Sequence, residues 1–506
     1  MNALNSCVRN AALAASALAV MTVQAAATWS IVVTDSATGE VCVASATCSA
    51  NFALKPAVGI VVVGKGAGAA QSIPSAQTRE IIWNRLRNGD SPQEILDRLA
   101  QVSGHEVRQY GIVNLDDPAV TFSGGSVPSG IGGVTGQQGT VRYAIQGNTL
   151  AGDTVILEAE QTLLNSTGDL GQRVMAAMET ARYWGGDRRC SCPTPPTPCD
   201  SPPTNQIHSA YTSFIVLARI GDEDRACGVP GGCAGGNYYL DRRFIGDEND
   251  IDAVIGLQMR YDAWRAARIG RVDHLLTKVT PSAPRLVADG STTVDVTVRL
   301  RDIDGNDLTT GGQTLYVRGI GGPQAASVES IVDNGDGTHS FTLRAGTTPG
   351  ICRFRVVVEA STLTYTLNPP LRIRVDPLTS LHAGYESVSA SEGADVPLVI
   401  NAGMAEAGRA YIVLASASGT SPGTPFNGQT LPLNLDRLLR FTMTNSQSPL
   451  LSGAVGQLDG TGRAEATMHL SEPILSQFIG GRFDFATVLF GNPDSFTDTA
   501  GFGIVP

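Results

Sequence analysis

Residues 28–72, TWSIVVTDSATGEVCVASATCSANFALKPAVGIVVVGKGAGAAQS, carry three extended apolar runs in succession, at Trp29–Thr34, Glu40–Ala46 and Ala57–Gly64. Runs of this kind read as strands, and the turn residues Asp35–Gly39 close the first two into a hairpin. The chain around this segment has to build on that paired start. A Gly/Ala-rich corner follows at Gly66-Ala67-Gly68 and leads into a helix over Ser75–Asn88, with Ile81, Ile82, Leu86 and Trp83 at helical spacing.

The next helix begins at Ser91, with Pro92 at the first helical position and Glu94 three residues after the cap. This is a capping box, in which the Ser and Glu side chains satisfy otherwise unpaired N–H groups. Strands are expected at Arg108–Asn114, Val120–Ser123 and Thr140–Gln146, then helices at Asp153–Asn165 and Asp169–Trp184. A long strand over Ile207–Arg219 and a helix over Asp250–Arg268 complete the region. Strands, two helices, strands, two helices is the order of an α+β, four-layer αββα sandwich, two sheets covered on both outer faces.

A chain of 506 residues with 57 Gly and 16% charged residues exceeds one ordinary core and favours several β-rich domains. The expected division is an export signal over 1–27, the α+β domain over 28–273, and two all-β sandwiches over 274–377 and 378–506. Arg9 and the apolar Ala11–Val23 give the leader its character, and Val23-Gln24-Ala25 and Ala25-Ala26-Ala27 are alternative cleavage sites. The leader is too short and Ala-rich for a membrane span, and no later run is long and apolar enough for one. The expected location is secreted, periplasmic or cell-surface.

Removing 1–27 takes away Arg9 and no acid, moving the net charge from −11 to −12. That balance argues against nucleic acid and anionic membranes as partners, which call for a basic face. The cysteines left are Cys42, Cys48, Cys190, Cys192, Cys199, Cys227, Cys233 and Cys352, an even set that favours disulfides in an exported chain. Their spacings do not suit zinc, and His105, His208, His274, His339, His382 and His469 are scattered. No metal or cofactor is expected. Asp302, Asp304 and Asp307 fit turn chemistry better than a calcium loop.

Beyond Thr280–Pro284 come short alternating runs at Thr293–Arg299, Thr314–Arg318, Ser340–Leu343 and Arg353–Glu359, with turns at Asp304-Gly305-Asn306 and Asn334-Gly335-Asp336-Gly337. This is the pattern of an immunoglobulin-like sandwich. Val332–Val358 resembles the C-terminal half of filamin-type repeats and bacterial adhesin modules. From Leu381 onward, strands near Asp395–Ile400, Tyr411–Ala415 and Phe483–Phe490 resemble C-terminal sandwich modules of secreted bacterial proteins.

A hydroxyl residue that runs directly into a hairpin, followed by a small-residue turn, resembles the N-terminal nucleophile (Ntn) hydrolases, proteasome subunits included. More closely, Thr28–Ala46, Gln146-Gly147-Asn148-Thr149-Leu150-Ala151-Gly152 and Gly185-Gly186-Asp187-Arg188-Arg189 resemble the family of unknown function DUF1028. The Pro/Cys-rich stretch Cys190–Gln206 interrupts that family pattern as an insertion.

The resemblance implies Thr28 as a nucleophile whose own α-amine, once freed, is the general base. A free α-amine has a pKa of about 7.7–8.0. The other reading is a β-branched residue opening a strand. Lys55, by analogy with proteasome subunits, would depress that amine, or is a surface lysine. Gly66 and Gly68 would offer oxyanion N–H groups, or allow close helix packing; a dinucleotide loop fails because Ala69 replaces the third glycine of that motif. Gln146 and Asn148 would bind substrate, or cap a turn; Asp187 and Arg188 would shape a pocket as a pair, or form an ordinary loop ion pair. No G-x-S-x-G elbow is present. The expected function is hydrolysis of an amide bond in an unknown, peptide-like substrate. The alternative is a non-catalytic surface-interaction protein, with a cell-surface or protein partner met by the C-terminal sandwiches. Nothing in the sequence sets the oligomeric state.

Overall fold

The computed structural model describes residues 28–192, 199–204, 208–228, 230–321, 325–360, 363–378, 380–471 and 475–506. The expected export signal, and parts of the Cys190–Gln206 insertion, lie outside the described residues. The chain divides into two compact units, Met1–Trp264 and Arg265–Pro506.

The first unit is mixed α/β. Its elements are β1 (Thr28–Asp35), β2 (Glu40–Thr47), α1 (Leu54–Val58), β3 (Gly59–Val62), β4 (Gly66–Ser72), α2 (Ala76–Asn88), α3 (Pro92–Leu99), β5 (Arg108–Asn114), β6 (Val120–Ser123), β7 (Gly132–Gln138), β8 (Val141–Asn148), α4 (Thr154–Asn165), α5 (Leu170–Tyr183), α6 (Arg188–Ser191), β9 (Thr212–Ala218), β10 (Glu223–Asp224), β11 (Gly236–Asn237), β12 (Leu240–Ile245) and α7 (Ala253–Ala266). A six-stranded antiparallel sheet runs β12-β9-β2-β1-β8-β7, and a four-stranded one β3-β4-β5-β6. The β1–β2 hairpin is thus the middle of the larger sheet. Its strands are buried almost throughout because both faces are covered.

One face of β1 turns Val32 toward the smaller sheet, where it packs with Val41, Val43, Val61, Ala67, Ala69, Val113, Ala144, Phe214 and Val216. The other face buries Trp29, Ile31 and Val33, on the side where α4 and α5 approach the sheet. The outer face of the smaller sheet buries Ile60, Val62, Tyr110 and Ile112 against Ile82, Trp83 and Leu86 of α2 and Ile95 and Leu99 of α3. The capping box at Ser91 and Glu94 forms as its residues require.

The Gly/Ala segment differs from its expected role as a corner: Gly66–Ser72 is a strand. Small residues there let a helix sit close, since a Cβ on Gly68 would come 3.2 Å from Ile82 and one on Gly66 2.9 Å from Leu86. The edge strand β3 is covered by the segment that Cys227–Cys233 staples. Val61 N–H donates to Cys233 O at 2.9 Å and Val63 N–H to the Asp224 carboxylate at 3.1 Å, which closes an edge that could otherwise pair with another chain.

The second unit is β-rich. Strands Lys278–Pro281, Thr293–Arg299, Thr338–Ala345 and Ala326–Asp333 form one sheet; Arg285–Val287, Leu371–Asp376, Gly350–Ala360 and Thr314–Gly319 form its mate. Val296, Val298, Phe341, Leu343, Phe354 and Val356 fill the space between them. A second sandwich joins Leu381–Ala383, Ala394–Asn401 and Arg463–Leu470 to a sheet of Ser387–Ser389, Ala500–Val505, Arg482–Leu489 and Ala410–Ser416. Its own core holds Val396, Leu398, Phe483, Phe485 and Phe502. The sequence pattern there gave no sign of the short helix α8 (Arg437–Thr444), which Asp436 caps by accepting from Leu439 N–H.

Candidate functional site

The layer between the two sheets of the first unit changes character along β1. Around Val32 it is aliphatic. Two residues on, toward the chain start, Ser30 pairs in register with Ser45 and Gln146; two further, Thr28 pairs with Thr47 and Asn148. Gln71 of β4 and Gln109 of β5 face them from the smaller sheet. All eight of these polar residues are buried to within 1% of full enclosure.

Thr28, Ser30, Ser45, Gln71, Gln109 and Asn148 form one connected network, Ser30 Oγ also meeting Ser45 Oγ at 2.9 Å. Ser30 Oγ donates to Gln71 Oε1 at 2.5 Å, and Ser45 Oγ to the Trp29 carbonyl at 2.8 Å. Gln71 Nε2 donates to the Thr28 carbonyl at 2.8 Å and to Gln109 Oε1 at 2.7 Å. Asn148 Nδ2 donates to the same Gln109 Oε1 at 3.0 Å, while Gln109 Nε2 holds the Gly147 carbonyl at 2.8 Å. Gln146 is the exception: among the described residues neither atom of its buried amide has a hydrogen-bond partner. It lies over Gly111, where any side chain would collide with it, a Cβ coming 2.0 Å from its Oε1. Every member of the network is uncharged at neutral pH. Such a cluster in a sheet core holds carbonyls and hydroxyls in fixed positions.

Of the residues the sequence singled out, Thr28, Gln146 and Asn148 meet here, the last two in β8 rather than in a turn. Asp187 and Arg188 lie close by. Asp187 is fully buried and accepts from Cys48 N–H at 2.9 Å, directly after Thr47. Its ion-pair partner is Arg189, at 2.7 Å, not Arg188, because the carboxylate caps α6 and the turn brings Arg189 back over it. Burial pushes the Asp187 carboxyl upward, opposed by the Arg189 guanidinium. Arg188 instead donates to Ser129 Oγ at 2.9 Å. The Cys48–Cys190 disulfide ties the end of β2 to α6, and Cys192–Cys199 closes the start of the insertion. Cys42 and Cys352, both buried, lie outside the three bridges.

Lys55 and the two glycines sit elsewhere. Lys55 pairs with Asp241 at 2.6 Å, and Asp241 is in register with Val216, Val43 and so Val32. That level is roughly 13 Å along β1 from Thr28 and roughly 14 Å across three strand spacings. Gly66 and Gly68 are at the opposite end of β4 from Gln71, roughly 17 Å away for Gly66. Ser30, Ser45, Gln71 and Gln109 are the members sequence reasoning missed. The available signal was a polar residue recurring at every second position of Thr28, Ser30 and of Ser45, Thr47 inside otherwise apolar runs.

Residues 28–192 match the model of a family of unknown function, DUF1028, and residues 276–368 match the model of invasin domain 3. The first match begins at Thr28. A solved Silicibacter pomeroyi protein of the same family model is 19% identical, covering 47% of this chain and 88% of that one at a TM-score of 0.35. The Yersinia pseudotuberculosis adhesin InvE is 14% identical over 46% of this chain and 60% of its own, with a TM-score of 0.18. The Escherichia coli adhesin FdeC is 11% identical over 94% and 97%, with a TM-score of 0.19. No curated protein matches the chain.

Proposed function

We propose that the first unit is an Ntn-type amidohydrolase of an exported protein, with Thr28 as nucleophile. The observation that carries this reading is the place of Thr28: it starts the central strand, at the polar end of the intersheet layer, with Gln71 fixing its carbonyl. In the full-length chain its nitrogen is an amide bonded to Ala27, so it cannot take a proton. Cleavage after Ala27 would free the amine. The amine would then accept the Thr28 hydroxyl proton as Oγ1 attacks the substrate carbonyl, and return it to the departing amine. Water would hydrolyse the acyl-enzyme by the same base. Asn148, in register with Thr28, and the unpartnered Gln146 amide two residues before it in the same strand would face the substrate carbonyl; Asp187 and Arg188 would shape the neighbouring wall. Three disulfides support an oxidising, extracytoplasmic location.

The second reading, a surface-interaction protein without catalysis, is favoured by the match of residues 276–368 to invasin domain 3. One experiment separates them. Intact mass of the secreted protein should give a chain beginning at Thr28, and that form should turn over members of an amide and acyl-amine panel. A correctly processed chain with no turnover on the panel leaves the binding reading standing; activity in a form beginning at Ala26, unaffected by Thr28→Ala, removes the mechanism.

A further inference from the structure

In the second unit a cavity of about 270 Å³ lies where its two sandwiches meet, lined by Arg285, Arg374 and Asp376 from the first and His382, Arg482 and Thr499 from the second. The ion pairs around it leave an imbalance. Asp376 is 5% exposed and takes Arg285 Nε at 2.5 Å on one oxygen and Arg374 Nε at 2.6 Å on the other. Arg374 also reaches Glu386, and Arg482 holds Asp484 through Nε at 2.7 Å. Three guanidinium groups therefore meet three carboxylates, and the charge is balanced. Hydrogen-bonding capacity is not, because each guanidinium carries five N–H donors. His382 also lines the cavity. It is 6% exposed, and its Nε2 stands 3.5 Å from Asp376 without a hydrogen-bond partner among the described residues.

We propose that this cavity binds the carboxylate of an acidic monosaccharide, either free or ending a glycan. A carboxylate matches the free edge of a guanidinium in two parallel hydrogen bonds. The volume lies near the lower end for ligand pockets, about 300 Å³, which suits a single sugar ring rather than a peptide segment. Guanidinium N–H groups beyond those a carboxylate consumes are left for the ring hydroxyls. The Arg482 side chain is 56% exposed but holds the nearly buried Asp484, so its loss is tested both alone and together with Asp484→Asn, which leaves no stranded carboxylate. This site stands apart from the reading of Thr28.

Titration calorimetry of the full chain with glucuronate, a glucuronate-terminated oligosaccharide, glucose, acetate and sulfate tests it. Glucuronate should bind once per chain, glucose not at all, and acetate and sulfate at least about tenfold more weakly. Arg482→Gln should weaken glucuronate by about tenfold or more, in the single variant and in the one that also carries Asp484→Asn, both remaining folded by circular dichroism. The oligosaccharide binding as well as the free acid identifies a glycan end as the source; binding of the free acid alone identifies the free sugar. No glucuronate binding, undiminished binding by Arg482→Gln, or acetate or sulfate binding as tightly as glucuronate would each overturn the assignment.

Discussion

The intersheet layer of the first unit and the sandwich core of Thr293–Arg299 solve the same packing problem with different residues. In the sandwich strand, exposure alternates residue by residue, Val294, Val296 and Val298 pointing in and their neighbours out. Along β1 nearly every residue is buried, and the inward face passes from Val32 to Ser30 to Thr28. An apolar core asks only for shape. A buried polar cluster must satisfy every donor and acceptor, and one that leaves the Gln146 amide unsatisfied is doing something packing does not require. The sandwich strand therefore reads as scaffold, and the polar end of β1 is where the proposed chemistry would sit.

Thr28→Ala breaks that contrast with the largest effect. It removes one hydroxyl and one methyl from a fully buried strand start, so the processed variant should lose about 1–3 kcal/mol and stay folded, while amide turnover falls by at least about 10³-fold, as for loss of a nucleophile elsewhere. Turnover of the wild type should also fall as pH drops below about 7.7, where the amine becomes protonated. Retained activity in the variant would place the chemistry elsewhere.

The opposite end of the same sheet offers the next test. Glu40 and Arg219, 4% and 3% exposed, form a buried pair at 2.7 Å, with Arg219 over the Tyr239 ring. Burial raises the Glu40 pKa and Arg219 lowers it. Arg219→Met should cost about 3–5 kcal/mol by stranding a buried carboxylate, and adding Glu40→Gln should recover a large part of it. Denaturant unfolding measures both, and equal stability of the single and double variants would show that the pair is not coupled.

A third comparison sets Leu343→Ala in the sandwich against Ser45→Ala in the polar end. The first opens a cavity at a fully buried leucine and should cost about 2–5 kcal/mol. Ser45 loses its bond to the Trp29 carbonyl, a cost of about 1–3 kcal/mol, with turnover falling as well if the cluster positions Thr28. A loss of stability with full activity would make the polar end structural.

How much of this was legible in the chain follows from sequence distance. Thr293–Arg299 was readable residue for residue because alternation is local. The helix after Ser91 was readable because its cap is local too. The network was not: Ser30 meets Gln71 across 41 residues and Gln109 meets Gly147 across 38, contacts that only the stacking of two sheets creates. The same holds for Asp187, where sequence adjacency suggested Arg188 and the helix turn selected Arg189. Gly66 and Gly68 showed small residues, and small residues serve a corner and a close-packed strand alike; the partners that decide, Ile82 and Leu86, stand on another element.

The smallest expected effect lies in the second unit, where a polar group is buried with charges instead of neutral amides. Burial holds the His382 pKa down to about 4, against the ordinary 6.5, opposed by Asp376; Arg285 and Arg374 push the same way as burial, and Asp289 against it. Between those values the unfolded chain binds a proton that the folded chain refuses. The stability this group contributes is therefore complete above the unfolded value and is lost as pH falls toward the folded one. Linkage makes the loss about 1 kcal/mol by about pH 6 and at most roughly 3 kcal/mol near the folded value. His382→Gln cannot titrate, so its stability should fall less steeply than wild type over that interval in denaturant unfolding of the full chain. Parallel pH profiles for the two proteins would mean that the imidazole accepts its proton in the folded state as readily as in the unfolded one.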